Sequence, residues 1–163
     1  MDTKHREERK RYIRISQSGE SIHIYQEEDI KMRKILFVCH GNICRSVMAE
    51  YICKQLRPDL YCESRACSYE EQGNDIYPPA KRCLDKHGIR YQRHHAKRIT
   101  IKDYEDFDEI YIMDRSNMSL ISRIVDDVQH KIHYLAAEEI DDPWYTGDFD
   151  GVYRQLYEAI ENL

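Results

Sequence analysis

Ile35-Leu36-Phe37-Val38-Cys39-His40-Gly41-Asn42-Ile43-Cys44-Arg45-Ser46 is the stretch that decides how this chain folds. Its apolar first part reads as a buried strand ending at Cys39. A short loop follows, and Ser46 or its neighbour opens a helix. A strand, a tight loop and a helix N-terminus together make an anion site, because unpaired backbone N–H groups converge where the helix dipole is positive. Gly41 and Asn42 are residue types that tolerate left-handed backbone, which lets successive N–H groups turn inward as a nest. The loop lacks the lysine and the second glycine of the nucleotide-binding Gly-x4-Gly-Lys-Ser/Thr pattern.

Outward from this loop the chain alternates strand and helix. The pattern predicts strands over residues 34–39, 60–67, 108–113 and 131–135, and helices over 46–55, 79–87, 116–125 and 149–163. Helix following strand repeatedly argues for an α/β fold: a small, doubly wound, four-stranded parallel sheet with right-handed crossovers and helices on both faces, flavodoxin-like. Residues 33–163 form this domain, and residues 1–32 read as an N-terminal extension. In the extension, residues 1–14 are rich in charge and are expected to be loosely ordered or helical at their start. Tyr12-Ile13-Arg14-Ile15 and Ser21-Ile22-His23-Ile24-Tyr25 alternate apolar and polar residues around Gln17-Ser18-Gly19-Glu20, as in a β-hairpin spanning residues 12–25. A lone hairpin is marginal in water. It is therefore expected to lie against a folded domain and to promote a homodimer, against the competing reading that residues before Met32 contribute nothing.

The 163 residues amount to one ordinary domain plus this extension. A net charge of −5, with Lys and Arg spread along the chain, gives no basic face for nucleic acid. Apolar runs are too short to span a bilayer, and the charged N-terminus does not read as a signal peptide. No membrane or nucleic-acid partner is expected, and the location is cytoplasmic. The six cysteines, Cys39, Cys44, Cys53, Cys62, Cys67 and Cys83, form no Cys-x-x-Cys pair and no zinc spacing with histidine. Neither a metal nor a cofactor is expected, and most of the thiols should be free and buried in a reducing compartment.

Cys39 needs a different explanation. A thiol at the floor of an N–H nest sits in positive potential, which favours the thiolate near neutral pH. Arg45 has the fork that holds two phosphate oxygens. The Ser46 hydroxyl can donate to the thiolate. Together they make Cys39 a nucleophile for phosphorus.

The run from Val38 to Ser46, continued by Val47-Met48-Ala49-Glu50, resembles the signature loop and helix of the low-molecular-weight protein tyrosine phosphatase family. The resemblance continues through Ser64-Arg65-Ala66, Pro78-Pro79-Ala80, Lys86-His87-Gly88-Ile89 and His95-Ala96-Lys97-Arg98. It ends with Ile112-Met113-Asp114 and Asn117, then Asp142-Pro143-Trp144-Tyr145. It covers residues 33–163 and implies hydrolysis of phosphotyrosine in proteins through a phosphocysteine on Cys39. Arg45 would bind the phosphate, and His40, Gly41, Asn42, Ile43, Cys44 and Ser46 would complete the loop.

Protonation of the departing phenolate needs an acid from a loop over the site. The resemblance gives that role to Asp142, before Pro143, with Asp141 the nearest rival. Trp144 and Tyr145 would form one aromatic wall and Tyr69 the opposite one, with Glu70 and Glu71 disfavouring acidic peptides; core packing is the other reading of Tyr145. The resemblance also implies that Cys44 resolves an oxidised Cys39, so the site is redox-sensitive.

Departures from the family pattern are Val47 in place of proline, Ala66 where many members have glycine, and His40, read as a space-filler. Two other classes compete. An arsenate reductase would need further cysteines after the third strand of the domain, and residues 114–129 contain none. A non-catalytic phosphotyrosine-binding module would have lost the nucleophile or the acid.

Overall fold

The computed structural model describes residues 11–15, 21–25 and 31–163. The chain divides into two units, Met1–Lys31 and Met32–Leu163. In the first, β1 (Arg11–Ile15) and β2 (Ser21–Tyr25) pair antiparallel, with Ile13 opposite His23. The expected turn at 17–20 and the charged segment 1–10 lie outside the described residues.

The second unit is an α/β domain. Its strands are β3 (Arg33–Cys39), β4 (Leu60–Ala66), β5 (Glu109–Ile112) and β6 (Ile132–Tyr134). All pair parallel in the order β4-β3-β5-β6, so β3 is interior and its neighbours are reached in opposite directions. That reversal makes the carboxyl end of β3 a switch point, where doubly wound sheets open a crevice. Cys39 is the last residue of the strand that ends there.

The unbroken apolar run of β3 has a direct cause: both of its faces are covered. Ile35, Phe37 and Cys39 face a core built with α1 (Arg45–Leu56), α2 (Pro78–Lys86) and α6 (Phe149–Glu161). Leu36 and Val38 face a second core with Tyr104 and Phe107 at α3 (Ile101–Asp106), and Ile121 at the end of α4 (Arg115–Ile121). Helices therefore flank both faces, as the sequence pattern predicts.

Three elements differ from that pattern. α3 was not expected, although its signal is in the sequence: Thr100 Oγ1 accepts from the Asp103 N–H while the Asp103 carboxylate accepts from the Thr100 N–H, a complete capping box. α4 stops at Ile121 rather than 125, because i to i+3 bonds from Arg123 to Leu120 and from Ile124 to Ile121 tighten the chain. The Asp127 carboxylate then accepts from the N–H groups of Lys131 and Ile132 and starts β6. α5 (Pro143–Thr146) is a single turn capped by Asp142 and stopped by Gly147 at φ +71°. Among the described residues no helix is long and apolar enough to cross a membrane.

Candidate active site

The loop from Cys39 to α1 is shaped around Asn42, which is fully buried with φ +61°. Its amide Nδ2 donates to Ser46 Oγ and to Ser64 Oγ, both at 2.9 Å. Its Oδ1 accepts from the Lys97 N–H at 3.2 Å. The ring of His94 reaches the Asn42 carbonyl through Nε2 at 2.7 Å. Burial holds the pKa of His94 below its ordinary value, so the ring is neutral and donates from Nε2. Behind Ser64, the Glu50 carboxylate accepts the serine hydroxyl at 2.7 Å and is paired with Lys54. Asn42 alone carries the left-handed backbone. At Gly41 the matter is space instead: a Cβ there would lie 3.1 Å from Glu71 Cγ, and that side chain would have to give way by a few tenths of an ångström.

Cys39 Sγ accepts from the Asn42 N–H at 3.3 Å and lies 3.0 Å from Ser46 Oγ. Because Ser46 already accepts from Asn42, its own proton is free to point at the sulfur when Cys39 is ionised. Among the described residues, the N–H groups of Gly41, Ile43 and Cys44 meet no acceptor. Helix α1 starts at Arg45, one residue before the expected Ser46, with Cys44 as its N-cap. Burial first, then the charges of Cys39 and Asp142, raise the Cys44 thiol far above the usual thiol range.

Arg45 is only 2% exposed. One terminal nitrogen, NH1, donates to Asp114 Oδ2 at 2.7 Å and to the Ile140 carbonyl at 2.8 Å; the other, NH2, lies 3.4 Å from Asp142 Oδ2. Burial alone would lower the pKa of this guanidinium, but negative charge on Cys39, Asp114 and Asp142 carries it above its ordinary value. Asp114 also caps α4 by accepting from the Asn117 N–H. Asp142 caps α5 through Oδ1, which accepts from the Trp144 N–H at 3.0 Å. That leaves Oδ2 facing Arg45, whereas Asp141 is exposed.

On one side of the loop, Trp144 is 52% exposed with its ring 4.7 Å from Tyr77, which also packs on Phe149. Tyr145 is 85% exposed, so core packing is not its role. On the other side, residues 67–74 lie against the loop. The Cys67 N–H and the Ser68 hydroxyl donate to the carbonyls of Cys39 and His40, and Glu70 pairs with His40. Burial and the charge of Cys39 push the Cys67 thiol up to about 12. Tyr69, 65% exposed, is covered by the Arg98 guanidinium at 4.5 Å from its ring. Asp114, His94, Glu50 and Tyr77 are the site's structural residues that sequence reasoning left without a role.

The loop between β3 and α1 thus brings a thiol, a buried arginine and a carboxylate together at the switch point of a doubly wound sheet, the arrangement of a candidate cysteine-based anion site. Residues 34–163 match the family model for low molecular weight phosphotyrosine protein phosphatase, and the chain belongs to that family. The rat protein of the same name is 36% identical over 144 residues, an alignment covering 78% of this chain and 90% of the relative. The low molecular weight protein-tyrosine-phosphatase PtpA of Staphylococcus aureus is 32% identical over 143 residues, covering 81% and 92%. The crystal structure of SP-PTP, the low molecular weight protein tyrosine phosphatase of Streptococcus pyogenes, has a TM-score of 0.75 and 36% identity. It covers 80% of this chain and 90% of that one.

The network around Asn42 predicts that Asn42→Ala lowers stability by about 2–4 kcal/mol. The change unpairs buried hydroxyls and places alanine in left-handed backbone. Urea unfolding measures it, and a loss under about 0.5 kcal/mol would mean that the loop keeps its shape without the amide.

Proposed function

We propose that this domain hydrolyses phosphotyrosine in proteins, and small aryl phosphates, through a phosphocysteine on Cys39. The observation that carries the reading is the convergence of Cys39, Arg45 and Asp142 on one loop, with Arg45 reaching Asp142 at 3.4 Å. Cys39, as thiolate, attacks phosphorus while the bond to the tyrosyl oxygen breaks. Asp142 gives its proton to that oxygen, and the phenol leaves. Asp142, now a carboxylate, takes a proton from water. The hydroxide formed attacks phosphorus, the S–P bond breaks, and phosphate leaves with the thiolate restored.

Arg45 suits the phosphate because NH1 is tied to Asp114 and the Ile140 carbonyl. NH2, only 3.4 Å from Asp142, and Nε are left to turn to phosphate oxygens. Loop N–H groups, with those of Gly41, Ile43 and Cys44 foremost, take the developing charge on the equatorial oxygens. Trp144 and Tyr145 stand as one aromatic wall for the phosphotyrosyl ring. Tyr69, backed by Arg98, stands as the other.

The same proposal takes residues 33–163 as the phosphatase domain, working without a cofactor in the cytoplasm. Six free, buried thiols suit a reducing compartment. It takes residues 1–32 as an extension that promotes a homodimer, since β1 and β2 form a two-stranded sheet whose outer edges invite pairing.

Turnover of a phosphotyrosyl peptide and of para-nitrophenyl phosphate tests the chemistry. Cys39→Ser abolishes turnover yet still binds vanadate, because the nest is mostly backbone; normal turnover by that variant ends the mechanism. Asp142→Ala slows substrates with poor leaving groups by about 10²–10⁴-fold and good ones far less. Finding that dependence in Asp141→Ala instead would transfer the role. Light scattering reads the extension: the full chain dimerises and a chain beginning at Met32 does not, while equal masses would leave residues 1–31 without that role.

A further inference from the structure

Between the end of α2 and the start of α6, three donors of different chemistry meet. Cys83, in the last turn of α2, and His87, its C-cap, are four residues apart and so share a face at the helix end. Asp150, in the first turn of α6, comes toward them. Asp150 Oδ1 is 3.8 Å from Cys83 Sγ and 3.2 Å from His87 Nε2. All three donor atoms lie within 4.8 Å of one another.

We propose that Cys83, His87 and Asp150 bind a thiophilic divalent transition ion, zinc foremost, with water as the fourth ligand. A tetrahedral zinc with bonds of about 2.0–2.3 Å holds its donor atoms roughly 3.4–3.6 Å apart, so the two separations to Asp150 fit within a few tenths of an ångström, and the Cys83–His87 pair, within 4.8 Å, closes by at most about 1.3 Å. The donor set of thiolate, imidazole and carboxylate suits zinc, and calcium or magnesium would seek more oxygens.

The surroundings are arranged as second partners for such ligands. Lys86 holds Asp150 Oδ2 at 2.8 Å, which leaves Oδ1 as the coordinating oxygen. The His87 ring is stacked on Tyr153 at 3.7 Å and 8°, which fixes its plane. Cys83 is buried, while the side chains of His87 and Asp150 are 28% and 43% exposed and leave an entry path. On binding, the Cys83 proton passes to solvent and the thiolate takes the ion. His87 carries its ring proton on Nδ1 and gives the Nε2 lone pair. Thiolate and carboxylate together cancel the charge of the ion. In the metal-free cluster, burial and Asp150 keep the thiol protonated, its pKa pushed up to about 11.

The consequence would reach the phosphate site. The ion ties the end of α2 to the first turn of α6 beside Phe149, whose ring packs on Tyr77, and the Tyr77 ring carries Trp144. The metal site does not depend on the hydrolytic reading, and its test is free of turnover.

The test uses the full chain carrying Cys39→Ser, which removes the rival thiol, stripped with chelator and kept reduced. Titration with cobalt(II) gives one ion per chain, with a thiolate-to-cobalt charge-transfer band and tetrahedral visible bands that zinc displaces. Adding Cys83→Ser removes the charge-transfer band. Adding His87→Gln or Asp150→Asn weakens binding by more than the roughly 10–100-fold that loss of an outer partner costs. Zinc raises the melting temperature of the parent but not of these variants. No charge-transfer band, or one that survives Cys83→Ser, overturns the site. Should Cys83→Ser not fold, unchanged cobalt affinity in both His87→Gln and Asp150→Asn overturns it equally.

Discussion

Everything at the mouth of this domain depends on one buried amide. Asn42 holds left-handed backbone at φ +61° and is hydrogen-bonded at every polar atom of its side chain. Its partners come from three parts of the chain: Ser46 on α1, Ser64 on β4, and the segment of His94 and Lys97. Such a residue could not relax alone, because any rotation would strand buried donors and acceptors at about 1–3 kcal/mol each. The loop is therefore pre-organised, with the Asn42 N–H on Cys39 Sγ and the N–H groups of Gly41, Ile43 and Cys44 without an acceptor among the described residues. That matters for catalysis, where dipoles fixed beforehand cost no reorganisation in the transition state.

The second constraint is electrostatic. A guanidinium as buried as Arg45 must be paired, and two carboxylates and a carbonyl meet it. Asp114 and Asp142 approach from separate elements, so one cation fixes the ends of β5 and of the segment before α5. The two carboxylates differ in what else they hold. Asp114 is spent on Arg45 and the cap of α4, while Asp142 uses one oxygen for its cap and keeps the other beside Arg45 at a looser 3.4 Å. In the proposed mechanism it is the looser one that exchanges a proton with the substrate.

Much of this was legible in the sequence because it is local. The apolar run of β3, the Gly-Asn pair and the arginine six residues after Cys39 are neighbours in the chain, and their meaning survives without tertiary contacts. Alternating strand and helix patterns gave the four-stranded parallel sheet, with ends shifted by one or two residues in most elements and by four at α4. What escaped was long-range or short-lived in the chain. Asp114 meets Arg45 across 69 residues, and His94 meets Asn42 across 52. No spacing rule links such pairs. The six-residue α3 was readable from Thr100 and Asp103 but has too few turns to show a helical period. Cys83 and His87 were also in plain sight as Cys-x3-His. The expectation of no metal considered Cys-x-x-Cys and zinc-finger spacing, and Asp150 joins them only after α6 folds back on α2.

The claim at the centre of the account is that phosphorus passes through the sulfur of Cys39. Rapid quenching of the full chain during turnover of a phosphotyrosyl peptide, followed by mass spectrometry at a pH that preserves thiophosphate, reads that step directly. The account predicts phosphate on Cys39 alone, formed before inorganic phosphate appears and decaying as it is released. Turnover with no phosphorylated enzyme, or phosphate carried by His40 or another residue, would contradict it.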